Sequence, residues 1–431
     1  MTNFQIGIIA IFAILAIIGV FAFAGIGGFG GDKNSIGSVE IWGTIPNVVM
    51  NDLISEISRE DKNFLGIKYV EKDKKTYESE FIEALASGVG PDLFLLNHNS
   101  IVRNQNKIIE IPYKNFPARD FKNIFIEEGE LYLTQTGVLG FPFTIDPLIM
   151  YWNRDIFQTV GVSTPPKYWN ELFVLSPKIT QRDMASNITR SLVAFGEFRN
   201  IENAKEILST LIMQSGNPIV ALLNEQLEST LADKLGFATS PAEATARFYT
   251  EFSNPAKSIY SWNRALPNSR QSFIAGDLAI YFGFASELPD IKRANPNLNF
   301  DTALMPQSKD SGVNITYGKM SAFAIPRASK NPNGAFVAAL SLTSQNSAAS
   351  LSDKLKLPPA RRDLLSNKQD DPFMSIFYDS ALMSKAWLEP DSEKIYDIFR
   401  EMIESVTSGK ARLGDAVKIA DEEINLLLRR Q

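Results

Sequence analysis

The sequence predicts an α/β protein, a sheet of parallel strands covered by helices, standing behind an uncharged apolar N-terminal segment. Three observations carry this. From Ser38 onward, short apolar runs alternate with amphipathic stretches in the order β-α-β-α-β, the pattern of parallel strands joined by crossover helices. Residues 1–31 carry no charged side chain. The 431-residue chain is 45% hydrophobic and 21% charged, an ordinary globular composition, and its length corresponds to two or three domains at roughly 150 residues each.

Ile6 to Ala24 is an almost wholly apolar run of 19 residues. As a helix it would reach about 28 Å, close to the thickness of a bilayer's hydrocarbon core. A transmembrane anchor is the first reading. A signal peptide cleaved near Ala24 is the alternative, since Ala22-Phe23-Ala24 spells the small-residue pattern of a cleavage site. The absence of a basic residue before the run and its length favour the anchor. Lys33 is the only nearby cation, so charge does not orient the helix. The Gly25–Gly30 stretch reads as a flexible linker rather than a dinucleotide loop, because no short strand precedes it and polar residues follow.

In the body, Val39–Trp42 reads as a strand and Val49, Leu53 and Ile57 as a helix face. Leu65–Val70 reads as a second strand. Thr76 opens a helix with Tyr77, Phe81 and Leu85 on one face; Gly88 and Gly90 end it, and Leu93–Leu96 is a buried strand. Further strands are read at Leu148–Tyr151, Ser191–Phe195, Leu278–Phe282 and Met320–Ile325. Ser240-Pro241-Ala242-Glu243 is a capping box opening a helix with Ala244, Phe248 and Phe252. Two amphipathic helices separated by Gly409 end the chain. In such sheets ligands bind beyond the carboxyl ends of strands, so Trp42 and Thr44 after the first strand and Asn97, His98 and Asn99 after the third are site candidates. Trp42 reads equally as core. His98 alone reads more naturally as a hydrogen-bonded structural group. Trp262, in the polar stretch Ser261-Trp262-Asn263-Arg264, reads either as an exposed stacking platform or as a loop anchor.

Composition excludes much chemistry. A net charge of −6 offers no basic excess for nucleic acid. The chain has no Cys, which removes disulfides, thiolate metal sites and cysteine nucleophiles, and its single His removes histidine zinc clusters. No nucleophile elbow or phosphate loop is present. No metal and no cofactor is expected.

Five segments in order resemble the extracellular solute-binding proteins of ABC importers, in the sugar-binding, maltose-binding-protein-like group. They are Ala84–Leu93 with its Gly-x-x-Pro-Asp turn, Gly140–Asp155 followed by Gly161–Leu172, Phe273–Ile280, Tyr317-Gly318-Lys319 leading to Ser329–Pro332, and Leu357–Asp363. The resemblance covers about residues 38–425. It implies a two-lobe periplasmic-binding-protein type II fold, each lobe a mixed sheet flanked by helices, preceded here by the transmembrane helix. The chain would cross between lobes more than once. Residues 1–35 would be anchor and linker, 36–143 and 318–371 lobe 1, and 144–317 and 372–431 lobe 2. It implies a monomeric protein that binds without catalysis and hands a sugar to ABC permease subunits at the outer face of the membrane. Asp146 matches the hinge-strand acid that binds sugar hydroxyls, or else braces the hinge; Tyr317 lies at the second hinge. Where the group usually has a stacking Trp, Phe284-Ala285-Ser286 stands, leaving Phe284 as the replacement. Relatives often carry a lipidated Cys; this chain has none, so an uncleaved helix would serve as tether. A non-transport sensory or adhesion module and a membrane-anchored carbohydrate-active enzyme are the alternatives.

Overall fold

The computed structural model describes residues 36–309 and 312–430. The expected helix at Ile6–Ala24 and its glycine linker lie outside the described residues. Among the described residues no helix is long and apolar enough to cross a membrane.

One ten-stranded mixed sheet runs through the molecule. Its strands, in chain order, are β1 (Val39–Gly43), β2 (Ile67–Glu71), β3 (Leu93–Asn97), β4 (Phe141–Asn153), β5 (Gln181–Arg182), β6 (Ile188–Val193), β7 (Leu278–Phe284), β8 (Phe300–Ala303), β9 (Thr316–Ala324) and β10 (Ser384–Lys385). The spatial order is β2-β1-β3-β9-β4-β7-β6-β5, with β8 beside β4 and β10 beside β9. The predicted β-α-β-α-β start is present: β1 pairs in parallel with both β2 and β3. Its helices are α1 (Asn47–Glu60) and α2 (Tyr77–Ala86). α2 buries Tyr77, Phe81 and Ala84 at helical spacing. Gly88 then adopts φ +69°, and Val89 N–H bonds back to the Ala84 carbonyl, closing the helix end.

Two hydrophobic cores flank the middle of the sheet. One gathers Ile41, Phe94, Phe141, Phe323 and Phe336; the other gathers Tyr151, Trp169, Phe195, Trp262 and Phe282. Core membership changes between Ile145 and Leu148 on β4 and between Tyr317 and Met320 on β9, so these two strands each serve both lobes. β4 pairs antiparallel with β9 over its first half and with β7 and β8 over its second. That double duty explains its 13 residues, of which sequence patterning found only Leu148–Tyr151 in the second half. β9 likewise begins at Thr316, earlier than the expected Met320, because its first residues are buried against the other core, which Tyr317 joins.

The remaining lobe 2 helices follow their caps and stripes. α3 (Ala204–Gln214) is buried along most of its length. α4 (Pro241–Glu251) starts as expected, with Ser240 Oγ accepting from Glu243 N–H at 3.1 Å. Its buried face is Ala242, Thr245, Ala246 and Tyr249 rather than one centred on Ala244, which faces solvent. α5 (Ser392–Thr407) and α6 (Leu413–Leu428) bury the predicted stripes, and Gly409 between them has φ +74°.

Candidate functional site

The two shared strands place a polar surface where the lobes meet. Asp146 on β4 pairs directly with Lys319 on β9, and cross-strand partners project to the same face. Tyr317 and Ser321, two residues either side of Lys319, share that face. Ser321 pairs with Asn97 at the end of β3, and its hydroxyl donates to Asn97 Oδ1 at 2.7 Å. From lobe 2, the segment after β7 reaches the same place: Ser286 N–H donates to Asp146 Oδ1 at 3.0 Å. Lys319 Nζ stands 3.6 Å from the centre of the Phe284 ring and 4.0 Å from Glu206 in the first turn of α3. Asn97, Ser286 and Lys319 are exposed, and Asp146, Ser321 and Glu206 partly so.

Behind this surface lies a buried chain of hydrogen bonds. Met320 N–H donates to His98 Nδ1 at 3.2 Å, so in the neutral ring the proton sits on Nε2, which faces Tyr317 Oη at 3.0 Å. Tyr317 in turn donates to Glu389 Oε1 at 2.8 Å. Lys205 Nζ bonds both Glu389 oxygens, at 3.0 and 2.7 Å, and the Ser392 hydroxyl at 3.1 Å. Asn99 of lobe 1 donates to the same Ser392 hydroxyl at 3.2 Å, which closes a bridge between lobes.

Electrostatics follow from burial. Burial, helped by Lys205 and Lys319, pushes His98 down to about 3, so it is neutral at ordinary pH. Burial would lower Lys205, but Glu389 and Glu206 outweigh it and hold the ammonium above its ordinary value. Burial also works against the Glu206 carboxylate, yet Lys319 and Lys205 keep it below the usual range. Asp146 behaves differently. Burial raises it to about 6, against the opposing pull of the Ser286 hydrogen bonds and Lys319.

The sequence candidates separate accordingly. Asn97, His98, Asn99, Asp146, Phe284 and Tyr317 come together. Thr44 is partly exposed just past β1. Trp42 does not join them: it is 8% exposed in the lobe 1 core, with its indole N–H on Glu40 at 2.6 Å and Lys72 over its ring. The exposed reading of Trp262 is corrected: it is 1% exposed inside the lobe 2 core, the loop-anchor alternative. Ser261 misled because it is a buried partner, its Oγ donating to the Val193 carbonyl at 2.8 Å, while Asn263 and Arg264 after it are open to solvent in part or in full. Sequence reading missed Lys205, Glu206 and Glu389, which carry no motif. It also missed Tyr396, a 41%-exposed aromatic one turn beyond Ser392 on α5, edge-on to Phe198. All five tryptophans are buried, whereas Tyr396 stays open to solvent.

The arrangement gathers hydrogen-bond donors and acceptors from both lobes. Among the described residues no cluster of His, Asp or Glu is arranged to hold a metal ion. Two lobes joined by shared strands thus meet at one polar surface. Residues 58–375 match the family described as bacterial extracellular solute-binding protein. This chain belongs to that family. A Brucella abortus chain named only as a binding protein is 22% identical over 365 residues, 80% of this chain and 82% of that one. Among solved structures, the cyclic α-maltosyl-1,6-maltose binding protein of Arthrobacter globiformis superposes with a TM-score of 0.75 at 13% identity, over 91% of this chain and 99% of that one. A cyclo/maltodextrin-binding protein complexed with maltotetraose gives a TM-score of 0.73 at 15% identity, over 93% and 98% of the two chains. A sugar-binding protein of Xanthomonas citri gives 0.72 at 17%, over 91% and 98%. At these identities the likeness is one of fold, the two-lobe periplasmic-binding-protein architecture.

Proposed function

We propose that this protein is a membrane-tethered, extracytoplasmic receptor that captures a short carbohydrate between its lobes and delivers it to an ABC permease, without chemical turnover. The observation that carries the reading is the pairing of Asp146 with Lys319 on the two shared strands, ringed by Asn97, Ser321 and the Ser286 backbone. Sugar hydroxyls are met by such mixed donors and acceptors. The binding set is Asn97, Asn99, Asp146, Lys319 and Tyr396, with His98 and Tyr317 holding the floor in place. A short ligand is favoured because Lys319 covers the Phe284 face and every tryptophan is buried, which leaves little aromatic surface for a long glucan chain. Closure works by differential contacts: a ligand touching both lobes binds the closed state better and shifts the population toward it. The lobes are assigned as 36–143 with 318–371 and 144–317 with 372–431, a division supported by where β4 and β9 change core. The anchor is residues 6–24.

The test is a thermal-shift panel of mono-, di- and oligosaccharides on the full-length chain. A true ligand at about 100 times its dissociation constant adds roughly 2.7 kcal/mol of stability. The expected result is a shift with one or more mono- or disaccharides that Asp146→Asn abolishes. No shift with any sugar refutes the carbohydrate reading, and sugar turnover by the purified chain refutes the receptor reading.

A further inference from the structure

Strand alternation turns Gly318 to the face of β9 opposite Lys319. Against it packs Glu128, from the short helical turn Glu127–Tyr132. A side chain at 318 has no room, since a Cβ there would collide with Glu128 Oε2. Glu128 is 3% exposed, and neither of its carboxylate oxygens has a hydrogen-bond partner. Burial holds its carboxyl well above the usual carboxylate range. A buried group of this kind without partners is costly, so its retention calls for an explanation.

Beside it opens a cavity of about 290 Å³, with Glu127, Glu130, Lys385, Leu133 and Leu388 among its walls. The other charges here are already matched. Lys385 pairs with Glu127 at 2.9 Å, and Lys122 pairs with Glu130 at 2.7 Å. Glu128 is left as the one acid of this wall with no cation beside it. The rest of the lining, Leu131, Leu133, Ala386 and Leu388, is apolar.

We propose that this cavity, on the side of the shared strands away from the sugar surface, is a second ligand site that takes a small organic monocation. Its ammonium or guanidinium group meets Glu128 and its hydrocarbon part lies on Leu133 and Leu388. Two unpartnered oxygens on one carboxylate match the parallel donors of a guanidinium. Glu127, Glu128 and Glu130 all line this place, but they form no group that could hold a metal ion, and Glu127 and Glu130 are spent on lysines, which points to an organic cation. The cation pairs with the carboxylate form of Glu128, and any proton the group carries leaves to solvent as the cation enters, so charge balances.

The experiment titrates the full-length chain with methylguanidinium and propylammonium chlorides by calorimetry at a series of pH values. Saturable binding at a single site is expected, and it tightens as pH rises, because burial holds the Glu128 carboxyl above the usual range and the cation takes the carboxylate. Glu128→Gln should weaken binding by about tenfold or more while leaving the response to any sugar ligand unchanged. Absence of binding by both cations, binding that weakens as pH rises, or binding of equal strength in Glu128→Gln each overturns the proposal. The pH series is made on the unaltered chain, so the test stands even if the variant folds poorly.

Discussion

Removing the Glu389 carboxylate should be among the most damaging single changes away from the hydrophobic cores. Glu389 is fully buried and Lys205 is 5% exposed; they meet at 2.7 Å, and Glu389 also accepts from Tyr317 at 2.8 Å. Glu389→Leu would leave the buried Lys205 ammonium with only the more distant Glu206, 3.9 Å away, as its counter-ion, and the Tyr317 hydroxyl without its acceptor. Breaking a buried pair from one side costs about 3–5 kcal/mol, because the remaining charge loses its partner but not its burial. At roughly 2–4 °C per kcal/mol for a unit of lobe size, the melting temperature should fall on the order of 10 °C. Lys205→Met alone should cost a comparable amount. The double variant Lys205→Met/Glu389→Leu should recover much of the loss, since it leaves no unpaired charge. Denaturant unfolding of the four proteins, in the absence of ligand, reads the coupling directly. A Glu389→Leu cost below about 1 kcal/mol, or a double variant as damaged as the sum of the singles, would refute the reasoning.

Other expectations follow from the same geometry. Asp146, raised to about 6, is ionised above that pH and protonated below it, so sugar affinity should fall as pH drops through about 6, and Asp146→Asn should flatten the profile in calorimetric titrations. The stability effect has the opposite sign. A carboxyl raised in the folded state favours folding fully below its unfolded value of about 3.9, and this contribution is lost as pH rises through 6. Trp262→Ala should cost about 3–5 kcal/mol as a core truncation, whereas an exposed stacking platform would lose affinity with little change in stability. Ser240→Ala should cost about 1 kcal/mol by removing the cap on Glu243 N–H; unchanged chemical denaturation would show that the cap is dispensable.

The fold was readable wherever one periodicity covered one element. The first three strands, the capping box at Ser240 and the two final helices all announce themselves locally. β4 and β9 did not read at full length, because each changes core part-way and so changes its hydrophobic pattern. The candidate site was legible where residues follow a strand end, as with Asn97 to Asn99, or match a family motif, as with Asp146. The Lys205–Glu389 pair joins residues 184 apart, and no local pattern signals that separation. Trp262 shows the converse failure. Polar neighbours look like surface in a sequence, but Ser261 is fully buried and spends its hydroxyl on a backbone carbonyl.

The late arrival of β9 also governs how the chain is made. β3 ends at Asn97, and its neighbour in the sheet begins only at Thr316. At about 5–20 residues per second, a ribosome needs roughly 10–45 s to supply that strand. Until then the edge of β3 is open, the Phe323 and Phe336 side of the lobe 1 core is missing, and no lobe is finished. Native structure therefore comes late in synthesis, and lobe 1 stays unfinished until most of the chain has been made.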